Sequence, residues 1–219
     1  MTCAIGWSRC WEAKGEALTI AQVKNADARY LPLKANSIDV VITSPPYLNA
    51  IDYVRGHKLS LVWMGYSISK LRTLRATNIG TETVAKSKDD ILSKATMKGM
   101  CEGAPLSNRD TGILKQYVQD TKRILLEIHR VLRPKGKAVI VVGNCNIRET
   151  FIKNSRGIEI AAKQVGLKVG KIRTRLLPTN RRYLPPPSAS GAGEALQKRM
   201  REEVILTLLK PSRATRKVH

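Results

Sequence analysis

Residues 113–132, ILKQYVQDTKRILLEIHRVL, return apolar side chains at intervals of three and four. Ile113, Leu114, Tyr117, Val118, Ile124, Leu125, Ile128, Val131 and Leu132 form one broad apolar face, which predicts a long amphipathic helix. The proline and glycine of RPKG (133–136) stop it, and KAVIVVGN (137–144) follows as a continuous apolar run of strand length. SIDVVIT (37–43) has the same character. Continuous runs of this kind are expected of strands covered on both faces, as in a parallel sheet between helical layers. A helix, a Pro-x-Gly turn and a buried strand make up half of a βαβ layer.

The rest of the pattern fits that frame. RGIEIAAKQVG (156–166) predicts a helix ended by Gly166. LKVGKIRTRLL (167–177) alternates apolar and basic residues and reads as a half-exposed strand, while REEVILTLLKP (201–211) is a final strand placed to pair antiparallel with it. YVRGHKLSLVWMGY (53–66) carries Val54, Leu61, Val62 and Met64 at helical intervals, with Gly56 as a weak point. Trp7 and Trp11 suit one face of a short helix, and ALTIAQVKNADARYLPL reads as a helix end or short strand leading into a loop around Asp27. Residues 67–112 are polar, basic and poor in large apolar side chains, so they read as an insertion rather than core. PTNRRYLPPPSASGAG (178–193) is a loop by every local signal. The expected fold class is α/β: a mostly parallel sheet with helices on both faces and an antiparallel C-terminal strand, in one domain over 1–219.

Composition adds a partner. Hydrophobic residues make up 42% of the chain, a globular value. Lys+Arg number 39 against 17 Asp+Glu, a net charge of +22. Such an excess points to a polyanion, foremost nucleic acid, whose phosphates release counterions on neutralisation. Cys3, Cys10, Cys101 and Cys145 form no CxxC pair, and no histidine stands at a ligand interval, so neither a metal site nor a disulfide framework is expected. Reduced thiols, the lack of a membrane-length apolar run and the lack of a signal-peptide core predict a cytoplasmic protein with no membrane partner.

The candidate chemistry sits in Ser44-Pro45-Pro46-Tyr47, directly behind the first apolar strand. In open parallel sheets ligands bind outside the carboxyl ends of the strands. Pro45 and Pro46 stiffen the turn and contribute no N–H, which leaves the Pro45 carbonyl to be aimed at a ligand. Ser44 adds a hydroxyl and Tyr47 an aromatic face. The set suits a planar group with an exocyclic amine: two oxygens accept the amine hydrogens while a ring stacks.

NADARYLPLKANSIDVVITSPPYLNAIDYVRGHKLSLVWMGY resembles the region around the catalytic motif of the amino-group DNA methyltransferases. The likeness continues through EIHRVLRPKGKAVIVVGNCN and RTRLLPTNRRYLPP to LQKRMREEVILTLLKP, and so spans most of residues 24–211. The resemblance implies a Rossmann-like fold and transfer of a methyl group from S-adenosylmethionine to N4 of cytosine or N6 of adenine, with the serine form of the motif favouring cytosine N4. The target would be a base flipped out of duplex DNA. It implies further that Ser44 and the Pro45 carbonyl bind the amine, that Pro46 keeps the turn rigid, and that Tyr47 stacks on the base. Asp27 matches the acidic position that accepts from the cofactor's adenine amine, and Ser44 also borders the cofactor.

Arg55 and Lys58, just after the turn, and Arg181 and Arg182, in NRRYLPPP, are candidate phosphate contacts, and the basic 67–112 stretch is a candidate target-recognition segment. The family also carries a glycine-rich turn under the methionine end of the cofactor. No Gly-x-Gly follows a predicted buried strand here, and Gly191-Ala192-Gly193 reads as a flexible loop. The chain therefore reads as beginning after the first strand of the cofactor fold: as one part of a split enzyme whose second polypeptide supplies the glycine-rich turn, as a truncated remnant, or as a protein whose first 24 residues do the job in another way. An RNA amino-methyltransferase and a catalytically silent DNA-binding fragment are the alternative readings.

Overall fold

A computed structural model describes residues 21–48, 53–79, 91–147, 150–178 and 202–212. Within them, twelve elements follow in chain order: β1 (Ile38–Thr43), α1 (Tyr53–Gly56), α2 (Lys58–Trp63), α3 (Ile68–Thr77), α4 (Ile91–Cys101), α5 (Asn108–Val131), β2 (Leu132–Gly143), β3 (Cys145–Ile147), β4 (Thr150–Ile152), α6 (Asn154–Gln164), β5 (Lys168–Leu176) and β6 (Glu202–Leu209).

Helix α5 begins earlier than its apolar period shows, because its first turn is set by capping rather than by burial. The Ser107 hydroxyl donates to Asp110 Oδ2 at 2.6 Å and accepts from the Asp110 amide at 3.2 Å, a reciprocal cap of the Ser-x-x-acid kind. Its apolar stripe is buried as the spacing predicts, from Ile113 through Val131. RPKG does not separate helix from strand as a free turn. It forms the irregular start of β2, with Lys135 at φ 67 and a register shift against β1 between Ile38 and Val40.

Strands β1, β2, β6 and β5 form one sheet in that order. β1 and β2 are parallel, and β6 runs antiparallel to both β2 and β5. Three of the four strands thus point the same way, and the predicted antiparallel pairing of the last two strands is present. The carboxyl ends of β1, β2 and β5 and the start of β6 all lie along one edge. A small hairpin, β3–β4, follows β2 and has no counterpart in the sequence reading.

The main core lies between this sheet and helices α5 and α6. Ala138, Ile140 and Val142 of β2 and Val204, Leu206 and Leu208 of β6 meet Ile124, Leu125, Ile128, Ile158, Ala161 and Ala162. The alternate residues Val139, Val141, Ile205, Thr207 and Leu209 point to the other face and are only half-buried. On the same face of the outermost strand, Val40 is 53% and Ile42 76% exposed. Among the described residues helices cover one face of the sheet, and a second helical layer is not found.

The reading of residues 67–112 as lying outside the core needs correction. Helix α4 packs on α5 and α6, and its Met100 and Cys101 join a second core cluster with Leu48, Leu114, Tyr117, Val118 and Ile152. The contact is close because α4 and α6 place glycines where they meet. A Cβ on Gly157 would stand 2.5 Å from Met100 Sδ, and one on Gly99 2.4 Å from Ile160 Cδ1. Small and polar residues such as Ser93, Thr96 and Gly99 carry this buried interface, so a search for large apolar side chains passes over it.

Candidate functional site

The stretch Ser44-Pro45-Pro46-Tyr47 leaves the carboxyl end of β1 at the common edge of the sheet. Ser44 is exposed, and Pro45, Pro46 and Tyr47 are half-buried. Ser44 Oγ lies 3.0 Å from Tyr47 Oη and donates to the Val141 carbonyl at 3.2 Å. Among the described residues no donor reaches the Pro45 carbonyl. Tyr47 packs against the sheet–helix core, and its hydroxyl donates to Glu203 Oε1 at 2.9 Å. The second Glu203 oxygen pairs with Arg175. These four side chains meet because the antiparallel ladder sets Glu203 opposite Gly143 on one side and Arg175 on the other.

Sequence reasoning misses Glu203 and Arg175. Glu203 stands at the start of a strand, with Glu202 before it and an apolar run behind it, at a position only 9% exposed, where an unpaired carboxylate is rare. The acid pair Glu202-Glu203 early in REEVILTLLKP is the available signal, and only the alternation of the strand separates the exposed first from the buried second. The register that brings it to Tyr47 is a product of strand pairing and is not written in either segment.

Asp27 lies in a tight turn bridged to Tyr30. Arg29 wraps around it: its amide and Nε reach Oδ1 at 2.8 and 3.1 Å, while Nε and Nη2 reach Oδ2 at 3.1 and 2.7 Å. The hydrogen bond from the Arg29 side chain holds the Asp27 carboxyl below its usual range, against the opposing effect of burial. Three Arg29 N–H groups take up most of the roughly four acceptor positions of this half-exposed carboxylate, so a ligand amine at Asp27 shares it with Arg29. Arg29 also donates to Asp120 and to the Thr77 carbonyl, which anchors the turn to α5 and to the end of α3.

Arg55 and Lys58 are exposed on α1 and α2, on either side of His57. Around them α2 also exposes Leu59 (85%) and Trp63 (92%). Arg181 and Arg182 lie outside the described residues. Among the described residues no cluster of three or more His, Cys, Asp or Glu side chains is placed to hold a metal ion. Cys145, beside the site's edge, is pushed up to about 11 by burial, so its thiol stays protonated at neutral pH. No described helix is long and apolar enough to cross a membrane.

Over 184 aligned positions the chain is 39% identical to the type II methyltransferase M.BsoBI of Geobacillus stearothermophilus, a match that takes in 69% of this chain and 36% of that protein. The chain belongs to the type II methyltransferases. It spans about a third of the length of the relative it matches. No family model matches it. Among solved structures it is similar to a candidate DNA modification methylase of Thermus thermophilus in complex with S-adenosyl-L-methionine. That likeness has 16% identity and a TM-score of 0.41 over 87% of this chain and 54% of the other. A methyltransferase of Methanosarcina mazei gives 10% identity and a TM-score of 0.36 over 86% of this chain and 66% of the other.

The cofactor of this family is S-adenosylmethionine, and the described residues do not by themselves build a cradle for it. Asp27 is largely occupied by Arg29, and among the described residues no strand end carries a Gly-x-Gly turn where a ligand could approach the backbone closely. What the edge of the sheet does offer is a set of oxygen acceptors beside an exposed serine.

Proposed function

We propose that this chain forms the base-binding part of a DNA amino-methyltransferase, with Ser44 and the Pro45 carbonyl accepting the hydrogens of an exocyclic amine and Tyr47 lying against the base. The observation that carries this reading is the exposed Ser44 hydroxyl at the carboxyl end of β1, tied to Tyr47 at 3.0 Å in a turn that two prolines hold. An amine conjugated to a ring attacks poorly because its lone pair is delocalised. Two acceptors out of the ring plane favour a more tetrahedral nitrogen and release that pair. S-adenosylmethionine supplies the methyl group when bound. This chain's contribution is to place and orient the amine, an effect of proximity rather than of covalent catalysis.

A base within a duplex cannot reach the turn, so the target is flipped out, with Arg55, Lys58, Arg181 and Arg182 taking phosphates of the surrounding backbone. Residues 67–112 remain the candidate target-recognition segment, with α4 packed on α5 and α6 and α3 on α1. The serine of the motif favours cytosine N4 over adenine N6. A second polypeptide segment supplies the glycine-rich cradle. This is favoured by the exposed apolar face of β1 at Val40 and Ile42, which a further layer would cover.

The test is transfer of labelled methyl from S-adenosylmethionine to duplex DNA and to tRNA by the wild-type chain and by Ser44→Ala. Incorporation into DNA that is lost in Ser44→Ala supports the reading. Normal methylation by Ser44→Ala would remove the turn from the mechanism, and a preference for tRNA would replace DNA as substrate. Calorimetric titration with S-adenosylmethionine alone separates a self-sufficient chain from one that needs a partner segment.

A further inference from the structure

Two hydroxyl protons serve three contacts at the turn. Ser44 Oγ is 3.0 Å from Tyr47 Oη and 3.2 Å from the Val141 carbonyl, and Tyr47 Oη is 2.9 Å from Glu203 Oε1. The carbonyl and the carboxylate can only accept, so the direction of each hydroxyl is set by competition. Glu203 is buried and carries Arg175 on its other oxygen. A hydrogen bond to an ionised group is about twice as strong as a neutral one. The single phenolic proton of Tyr47 therefore goes to Glu203, and none is left for Ser44.

The consequence falls on the serine. Ser44 places its own proton on Tyr47 Oη or on the Val141 carbonyl. In either case its oxygen receives no hydrogen bond among the described residues, and both lone pairs stay available to a group docked from solvent. We propose that Glu203 is a positioning residue that draws the Tyr47 proton away from Ser44, and so keeps Ser44 Oγ open as an acceptor for the exocyclic amine of a nucleobase. This rests on the reading of the turn as an amine-binding site. Without the carboxylate, Ser44 Oγ, 3.0 Å away, is the acceptor among the described residues that stands within reach of the Tyr47 proton. One of its lone pairs is then occupied, and the protein competes with its own ligand.

The role belongs to tertiary structure. Tyr47 comes from the turn after β1, Arg175 from the end of β5 and Glu203 from the start of β6. The ladder that pairs Arg175 with Glu203 also keeps the carboxylate at the edge where the turn arrives. Val141, the third acceptor, lies on β2 between them in the sheet order.

The experiment needs neither cofactor nor turnover. Short single-stranded oligonucleotides carrying cytosine, or 2-pyrimidinone in its place, are bound to the full chain and followed by fluorescence anisotropy; adenine and purine form a second pair. Backbone attraction is common to both members of each pair, so the affinity ratio isolates the amine. The wild type is expected to favour one of the amine-bearing oligonucleotides by roughly tenfold, the worth of about one good hydrogen bond. Glu203→Gln, isosteric and neutral, should lose most of that preference while binding the amine-free oligonucleotide as before. Glu203→Gln combined with Tyr47→Phe should regain it, because the proton that blocks Ser44 has been removed.

Rescue by deletion of a hydroxyl is not what loss of a merely structural contact produces. Failure of the double variant to regain the preference overturns the proposal, as does full preference in Glu203→Gln. Absence of any amine preference in the wild type instead removes the amine-binding reading itself. Should Gln at 203 fail to fold, Tyr47→Phe alone decides: it leaves the buried acid untouched and is expected to keep the preference, and its loss overturns the assignment.

Discussion

Arg29 donates to Asp120 at 3.0 Å, and that carboxylate is 1% exposed on helix α5. The same guanidinium holds Asp27 at 2.7 Å and the Thr77 carbonyl at 3.0 Å. One side chain thus fastens the Asp27 turn, the end of α3 and the long helix together. Gln116 at 3.1 Å and Arg123 at 3.7 Å complete the shell of Asp120.

Removing the arginine leaves a buried carboxylate short of its main counter-charge. Arg29→Met is expected to destabilise the fold by about 3 kcal/mol, the lower end for breaking one partner of a buried pair. Arg29→Met with Asp120→Leu should recover much of the loss, since both charges are then gone. Urea denaturation of the two variants checks the sign of this coupling, and a double variant less stable than the single one would refute it.

The α4–α6 contact depends on glycine. Gly157→Ala places a Cβ against Met100 Sδ, Cγ and Cε, a side chain buried in the second core cluster. Overpacking of this kind costs about 1–3 kcal/mol. Met100→Ala creates a cavity on its own, but the two changes together should cost less than their sum, because the cavity accepts the new methyl. Thermal or urea melts of the four proteins measure this directly.

His129 provides a pH-dependent contribution. Burial, with a smaller effect from Lys210, holds its imidazole below the usual histidine range. A group with a depressed folded pKa binds fewer protons folded than unfolded, so its contribution is fully present above about pH 6.5 and is lost as pH falls through the folded value. Wild type should therefore lose more stability between about pH 7.5 and about pH 5 than His129→Gln does, by roughly the difference that one titrating group provides. Denaturation midpoints of both proteins at the two pH values test it.

Nonspecific DNA affinity should fall steeply with salt. If Arg55 and Lys58 touch phosphates, replacing each with Ala lowers the slope of log K against log salt by about 0.9, without changing which sequence is preferred. An unchanged slope in the double variant would take both residues out of the interface.

Much of this molecule is legible along the chain because its elements advertise themselves locally. The period of 113–132, the apolar runs of 37–43 and 137–144, and the alternation of 167–177 each determine an element from a few neighbouring side chains. SPPY marks its own position, since two prolines directly behind an apolar run end the strand there. Helix α4 escapes because its packing uses glycine, serine and threonine, which carry no hydrophobic signal. RPKG reads as a free turn, whereas the pairing of Lys210 with Lys135 and Gly136 draws it into the start of β2. Asp27 is visible as a lone acid, but its pairing with Arg29 depends on the side-chain geometry of a tight turn.

The sequence by itself determined the α/β class, the order of the main elements, the basic charge and the position of the Ser-Pro-Pro-Tyr turn, because each is a property of residues close together. Only the tertiary structure decided what surrounds that turn. Val141 lies 97 residues from Ser44, Glu203 lies 156 from Tyr47 and 28 from Arg175, and nothing local links them. Strand order and register bring them to one edge, and the direction of two hydroxyl protons follows from that meeting.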